Sequence, residues 1–281
     1  MVKLKCIVDE IGKLMPELVK TIMDKDNTGS YILLDVRQPQ EYNERHIPGA
    51  LLIPLGELEV RQNEIDRGKK IIIYCRSGHR SLAAAITLCE HGFEQIYHIE
   101  GGILTWPYET ISGIREVGPD LIAESATIRD IFLLGMKLEK GLYNFYTMAT
   151  KKTRALKTKN VLRILANAED GHMQRLYRRA TDILGKDSFA PFEQLRSELE
   201  GDYMEGGTRV HPALEMQEIK FKDKNEALEI ALEKEYLSYD FYKKAAALVN
   251  NADAKMLLHE LAIEERNHAD ILIRQLEQQL R

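Results

Sequence analysis

The chain has 281 residues, 44% of them apolar and 30% charged, with a formal net charge of −5. That length suits two domains of ordinary size, and the composition is that of a soluble globular protein. It contains no basic block and no apolar run of bilayer length, which argues against nucleic acid and membrane as partners. Residues 1–8 carry two lysines but no apolar core of signal-peptide length. The three cysteines, Cys6, Cys75 and Cys89, are odd in number and unevenly spaced. That argues against a disulfide framework and for a reducing cytoplasm, with Cys89 as core packing. No Cys-x-x-Cys pair occurs, so a rubredoxin-type iron site is not expected.

The spacing predicts a helix over 16–25 and a turn at Asp26-Asn27-Thr28-Gly29. Strands are expected at 31–36, 50–53, 71–75 and 95–99. Their cores are apolar with little alternation, the pattern of parallel strands covered on both faces. Helical segments lie between them. The first domain is therefore expected to be α/β, with its site at the carboxyl ends of the strands.

One stretch there carries chemistry, Tyr74-Cys75-Arg76-Ser77-Gly78-His79-Arg80-Ser81. It follows the β-branched run Ile71-Ile72-Ile73 and precedes a helical segment containing Ala83-Ala84-Ala85, so Cys75 sits where a strand ends and a helix begins. Loop N–H groups, a helix N-terminus and two arginines favour negative charge at that point, which activates a thiol as a nucleophile. Four residues separate Cys75 from Arg80. A protein phosphatase loop has five and cradles a phosphate; the shorter cup suits a single sulfur on the cysteine. Cys75 and Arg80 are the candidate catalytic residues, and Arg76, Ser77, Gly78 and His79 the candidate binding loop. Arg76 and His79 set the charge at its mouth, or both are solvated loop residues. Asp35 and Arg37 read as a structural pair that braces the loop.

These residues, with Asp35-Val36-Arg37, Glu41-Tyr42, His46-Ile47-Pro48-Gly49-Ala50, Gly101-Gly102 and Trp106, resemble the rhodanese family of sulfurtransferases over residues 1–112. The resemblance implies a cysteine that takes sulfane sulfur from a small donor, holds it as a persulfide and passes it to a thiol or cyanide acceptor. It implies no cofactor for this domain.

Residues 113–124, with Gly113, Gly118 and Pro119, read as a linker. Thr127-Ile128-Arg129-Asp130 has the form of a capping box with Asp in place of Glu. Four helices are expected, at about 127–152, 158–184, 225–249 and 252–279. The long connection over 185–224 contains Pro191, Gly201, Gly206, Gly207 and Pro212, so it is not a continuous helix. Within the helices Glu139, Tyr146, Glu169 and His172 recur as Glu235, Tyr242, Glu265 and His268, each 96 residues on. Phe145, Leu165 and Ala166 recur as Phe241, Leu261 and Ala262 at the same offset, so this region is a repeated helix pair. Residues three apart share a helix face, so each Glu and its His can reach one metal. Two such pairs plus Glu139 and Glu235 make six ligands, Glu139, Glu169, His172, Glu235, Glu265 and His268. Their oxygen and imidazole donors suit iron or manganese. Di-iron and di-manganese carboxylate helix bundles combine this donor set with one long crossover connection.

Residues 125–281 therefore resemble the rubrerythrin branch of the ferritin-like superfamily, an all-α four-helix bundle. The resemblance implies two iron ions, or manganese, an electron donor that the sequence does not identify, peroxide or oxygen chemistry, and a homodimer. Tyr146 and Tyr242 are candidate outer-sphere groups hydrogen-bonded to the ligands, or plain core aromatics. Two departures matter: no rubredoxin domain is present, and Ser238 stands where that family carries a further glutamate. The whole reads as a sulfurtransferase coupled to a di-iron domain in peroxide, oxygen or sulfur-stress chemistry. The alternatives are a non-catalytic sulfur carrier with an iron-binding or dimerisation bundle, and a bundle without metal.

Overall fold

The computed structural model describes residues 11–26, 28–113, 121–204, 208–210 and 223–279. Cys6 and residues 1–8, most of the expected 113–124 linker, and residues 211–222 of the long connection lie outside the described residues. The chain divides into two compact units, Met1–Glu116 and Val117–Arg281. No helix among the described residues is long and apolar enough to cross a membrane.

The first unit runs β1 (Gly12–Leu14), α1 (Pro16–Lys25), β2 (Tyr31–Asp35), α2 (Pro39–Glu44), β3 (Leu51–Leu52), α3 (Leu58–Arg61), β4 (Lys70–Tyr74), α4 (His79–Glu90) and β5 (Ile96–Ile99). The strands form one parallel sheet in the order β1-β5-β4-β2-β3, which puts β4 at its centre. Alternation along β4 sends Ile71 and Ile73 into one apolar cluster with Ala84, Ala85 and Leu88 of α4. Ile72 and Tyr74 go into a second cluster with Val19 and Met23 of α1. Burial on both faces explains the unbroken apolar runs. Cys75 continues the alternation and falls in the α4-side cluster.

Strand β1 has no sequence signal: Gly-Lys-Leu is short and lacks a β-branched residue. Its place depends on packing, because Gly12 lies flat on the Tyr97 ring, where a Cβ would be 2.3 Å from Cδ1.

The second unit contains α5 (Ile128–Lys152), α6 (Leu156–Leu184), α7 (Phe192–Glu198), the short antiparallel pair β6 (Tyr203–Met204) and β7 (Thr208–Arg209), α8 (Lys224–Leu248) and α9 (Ala252–Gln279). The expected capping box opens α5: the Asp130 N–H donates to Thr127 Oγ1, and the Thr127 N–H donates to Asp130 Oδ2. Helix α5 packs on α6 and α8 on α9, and the pairs meet through α6–α8 and α5–α9.

Two apolar clusters fill this helical region. One joins the start of α5 and α9 to the end of α6 and α8, through residues such as Phe132, Leu176, Ala245 and Leu258. The other joins the opposite ends, through Phe145, Leu162, Ala231 and Leu272. Between them, in sequence along every long helix, lie Glu139, Glu169, Glu235 and Glu265, all buried. The pair β6–β7 and helix α7 carry no sequence signal of their own. They are short and are placed by packing: β6 lies on α5, and α7 meets α6 through Tyr177–Phe192 and Arg196–Asp170.

Candidate functional site

In the first unit β4 delivers Cys75 to the start of α4. Gly78 makes the turn possible with φ +97°, a left-handed conformation that suits glycine. Its N–H donates to Cys75 Sγ at 3.1 Å. The thiol is free, 1% exposed, and 3.6 Å from Ser81 Oγ, whose hydroxyl in turn donates to the Gly78 carbonyl at 3.0 Å. The floor of the loop is pinned from outside. The N–H of Ile103 donates to the Cys75 carbonyl at 2.8 Å, and that of Leu104 to the Arg76 carbonyl at 3.1 Å.

Gly102 makes this contact possible. Its φ is +63°, and a Cβ there would lie 2.4 Å from the Cys75 carbonyl oxygen. Gly102→Ala is therefore expected to cost about 1–3 kcal/mol in stability from backbone strain and overlap. It should also slow sulfur loading of Cys75, read by intact-mass spectrometry against unfolding midpoints.

Arg80 projects to α2, where its guanidinium donates two hydrogen bonds to Glu41, at 2.7 and 2.8 Å. The anion it holds in the structure is thus the protein's own carboxylate, 39 positions away in sequence. That pairing holds the Glu41 carboxyl down at about 2. Glu41 also accepts from the Gln38 N–H at the start of α2, so α2 is tied to the loop. A carboxyl depressed in the folded state contributes stability above its unfolded value near 4.5, and that contribution is lost as pH falls toward 2. Asp35 and Arg37 form the expected buried pair, with Nε–Oδ1 of 2.9 Å and Nη2–Oδ2 of 2.6 Å. Ser77 Oγ and His79 Nδ1 are 3.2 Å apart on the exposed rim, beside exposed Arg76.

Cys89 corrects the sequence expectation. It is disulfide-bonded, with its partner outside the described residues, while still packing on the α4-side core.

In the second unit two triads form. Glu139, Glu169 and His172 bring one ligand atom each to within 4.8 Å of one another, and so do Glu235, Glu265 and His268. His172 Nδ1 is 3.4 Å from Glu139 Oε2 and 3.0 Å from Glu169 Oε2. His268 Nδ1 is 3.4 Å from both Glu235 Oε2 and Glu265 Oε2. The two imidazoles stack at 4.1 Å with 12° between planes, which joins the triads into one centre.

The donor set passes a test of fit to divalent cations. Four carboxylates buried together are costly without a cation to compensate them. At 3.0 Å from Glu169 Oε2, His172 Nδ1 still lacks a hydrogen bond of proper geometry, which leaves a buried ring nitrogen that a cation would satisfy. Ser238 is buried, and its hydroxyl donates to the Lys234 carbonyl at 2.8 Å, so it offers no carboxylate here. Tyr146 and Tyr242 are buried in different apolar clusters, one at each end of the ligand level.

Without a metal, burial pushes Glu235 up to about 7 and Glu265 up to about 8. Burial alone would lower His268, but hydrogen bonds to Glu235 and Glu265 outweigh it and raise the ring to about 11. Both raised carboxyls and the raised imidazole bind more protons folded than unfolded. The contribution is full at low pH and is lost as pH rises through the raised values. Metal-free protein is therefore expected to lose stability progressively between about pH 5 and pH 11, measured by urea unfolding. A flat profile would count against this cluster being metal-free and buried together.

A parallel α/β unit with a free, buried cysteine looped over the end of its central strand defines the class of the first unit. The rhodanese-like domain model matches residues 15–108. The chain is 36% identical over 80 residues to a sulfurtransferase of Allochromatium vinosum, covering 28% of this chain and 75% of that protein. Through this region the chain belongs to the rhodanese-like domain family. It is 40% identical over 100 residues to protein YrkF of Bacillus subtilis, named as a candidate sulfur carrier, covering 36% of this chain and 53% of YrkF. The chain thus spans about half the length of that relative. Among solved structures, a rhodanese-related protein from Thermoplasma volcanium is 31% identical, with 36% of this chain and 97% of that chain covered and a TM-score of 0.32.

Proposed function

We propose that the chain is a sulfurtransferase that holds sulfane sulfur as a persulfide on Cys75, joined to a ferritin-like, rubrerythrin-type di-metal domain. The observation that carries the first half is the Gly78 N–H aimed at the sulfur of a buried free thiol. An anionic sulfur at that point gains a preorganised donor and loses little solvation that the loop does not replace.

In the first step the Cys75 thiolate attacks the outer sulfur of a donor such as thiosulfate. An S–S bond forms on Cys75 as the donor's S–S bond breaks, and sulfite leaves with the electron pair. A thiolate or cyanide acceptor then attacks the outer sulfur, and Cys75 departs as thiolate. The Glu41–Arg80 pair positions the loop, Arg76 supplies a positive charge at the rim that favours an anionic donor, and His79 beside it offers a ring nitrogen for hydrogen bonding. Protein fed thiosulfate should gain one sulfur, mapped to Cys75, and turn over with cyanide. A carrier, the reading that the name of YrkF favours, would load sulfur but turn over only with a protein thiol.

In the second unit Glu139, Glu169, His172, Glu235, Glu265 and His268 would hold two metal ions. Iron or manganese bound there would supply redox chemistry toward peroxide or oxygen. The chain's own part is to keep four carboxylates dry and aligned, with His172 and His268 only 12% and 20% exposed at their side chains. Both centres in one chain suit a role in sulfur or peroxide stress, with pairing of two copies as the expected assembly. Metal analysis of protein purified without chelator tests this half: two metals per chain support it, and none defeats it.

A further inference from the structure

The connection after α6 crosses α5 beside the ligand level. Gly141, two residues past Glu139, lies against the Tyr203 backbone: a Cβ there would be 1.9 Å from the Tyr203 carbonyl oxygen. Asn144 Nδ2 donates to the Gly201 carbonyl at 3.2 Å. From α7, Arg196 Nε reaches 2.6 Å from Oδ1 of Asp170, the neighbour of ligand Glu169. The Arg196 guanidinium also lies over the Tyr143 ring at 5.3 Å. Residues 192–204 thus grip α5 just past Glu139 and α6 beside Glu169.

The internal repeat supplies the contrast. The offset of 96 that relates the two sets of ligands relates Gly141 to Leu237 and Asp170 to Arg266. No backbone can approach Leu237 as Tyr203 approaches Gly141, since even a single Cβ overlaps there. Arg266 would repel, not hold, a cation placed as Arg196 is. The same fastening therefore cannot be built on the second half.

The geometry points to residues 192–204 as a positioning strap for the Glu139–Glu169–His172 half alone, so that the two metal positions differ in affinity and the braced one is tighter. This rests on the di-metal reading above. A ligand held by a fixed neighbour keeps its geometry before the metal arrives, and loss of such outer support typically costs about 10–100-fold in metal affinity.

The test titrates full-length, metal-free protein with manganese(II) alone. Wild type is expected to bind in two steps about 10-fold or more apart, and Glu265→Ala to retain the tighter one, which assigns it. Gly141→Ala should weaken that tighter step about 10–100-fold and spare the other. If helix propensity were its only effect, both steps would stay in place and the melting temperature would rise. The double variant Asn144→Ala, Arg196→Ala removes the fastenings without overlap and should weaken the same step, which keeps the test valid if Gly141→Ala does not fold. Two equal steps in wild type, or two steps unmoved in the variants, overturn the strap while leaving the di-metal reading intact. Wild type that binds no manganese overturns both.

Discussion

Cys75→Ser is expected to abolish sulfur loading and to lower thiosulfate-to-cyanide transfer by at least about 10³-fold, the scale on which enzymes lose rate when their nucleophile is removed. The oxygen is a poor nucleophile toward sulfane sulfur and forms no stable equivalent of the persulfide. The substitution is nearly isosteric, and the surroundings do not depend on the sulfur: Gly78, Gly102 and the Glu41–Arg80 pair keep the loop's shape. Unfolding midpoints of the two proteins should therefore agree closely, so the loss can be assigned to chemistry. Intact-mass spectra of both after exposure to thiosulfate decide the matter. Retention of the added sulfur by the serine variant would move the sulfur site elsewhere.

The second large effect has opposite signs in two states of the protein. Glu169→Ala should lower metal content from two per chain to at most one. Saturating metal at about 1,000 times its dissociation constant stabilises a one-site protein by about 4 kcal/mol, and the variant forfeits the share belonging to its lost site. In the metal-free protein the same change deletes one of four buried carboxylates. Glu235 lies in the field of Glu169, and that field adds to the upward push on its carboxyl. Relief of that repulsion should leave the metal-free variant no less stable than metal-free wild type. If Glu169 served only as an ion-pair partner of His172, its removal would instead cost about 3–5 kcal/mol with or without metal. Urea unfolding with and without manganese separates the two cases.

Much of both centres is legible in sequence because each is written in local spacing. Cys75 to Arg80 is one loop, and Glu169 with His172 is one helical turn. The repeat at an offset of 96 then ties the two halves of the second centre together across the long connection. The long helices are equally readable, since amphipathic periodicity and the Thr127 cap act within a few residues. Pairings across the chain are not. Arg80 invites an external anion, and nothing near it in sequence names Glu41 as its partner. Cys89 looks like a core thiol because its bonding partner is not a neighbour. The Gly102 and Gly141 contacts exist only where one backbone meets another, and a glycine in sequence does not say what it lies against.

Sequence by itself determined which groups each half can offer: a thiol in an amide-rich loop, and two sets of carboxylate and imidazole side chains at helical spacing. These follow from covalent connectivity and the fixed geometry of helix and strand, which short-range patterns encode. Only the tertiary structure decided how the groups meet: the stacked His172 and His268, the Glu41 clamp on Arg80, and the strap that distinguishes one triad from its repeat. Those contacts join residues tens of positions apart, where packing of whole elements, and not local propensity, sets the distances.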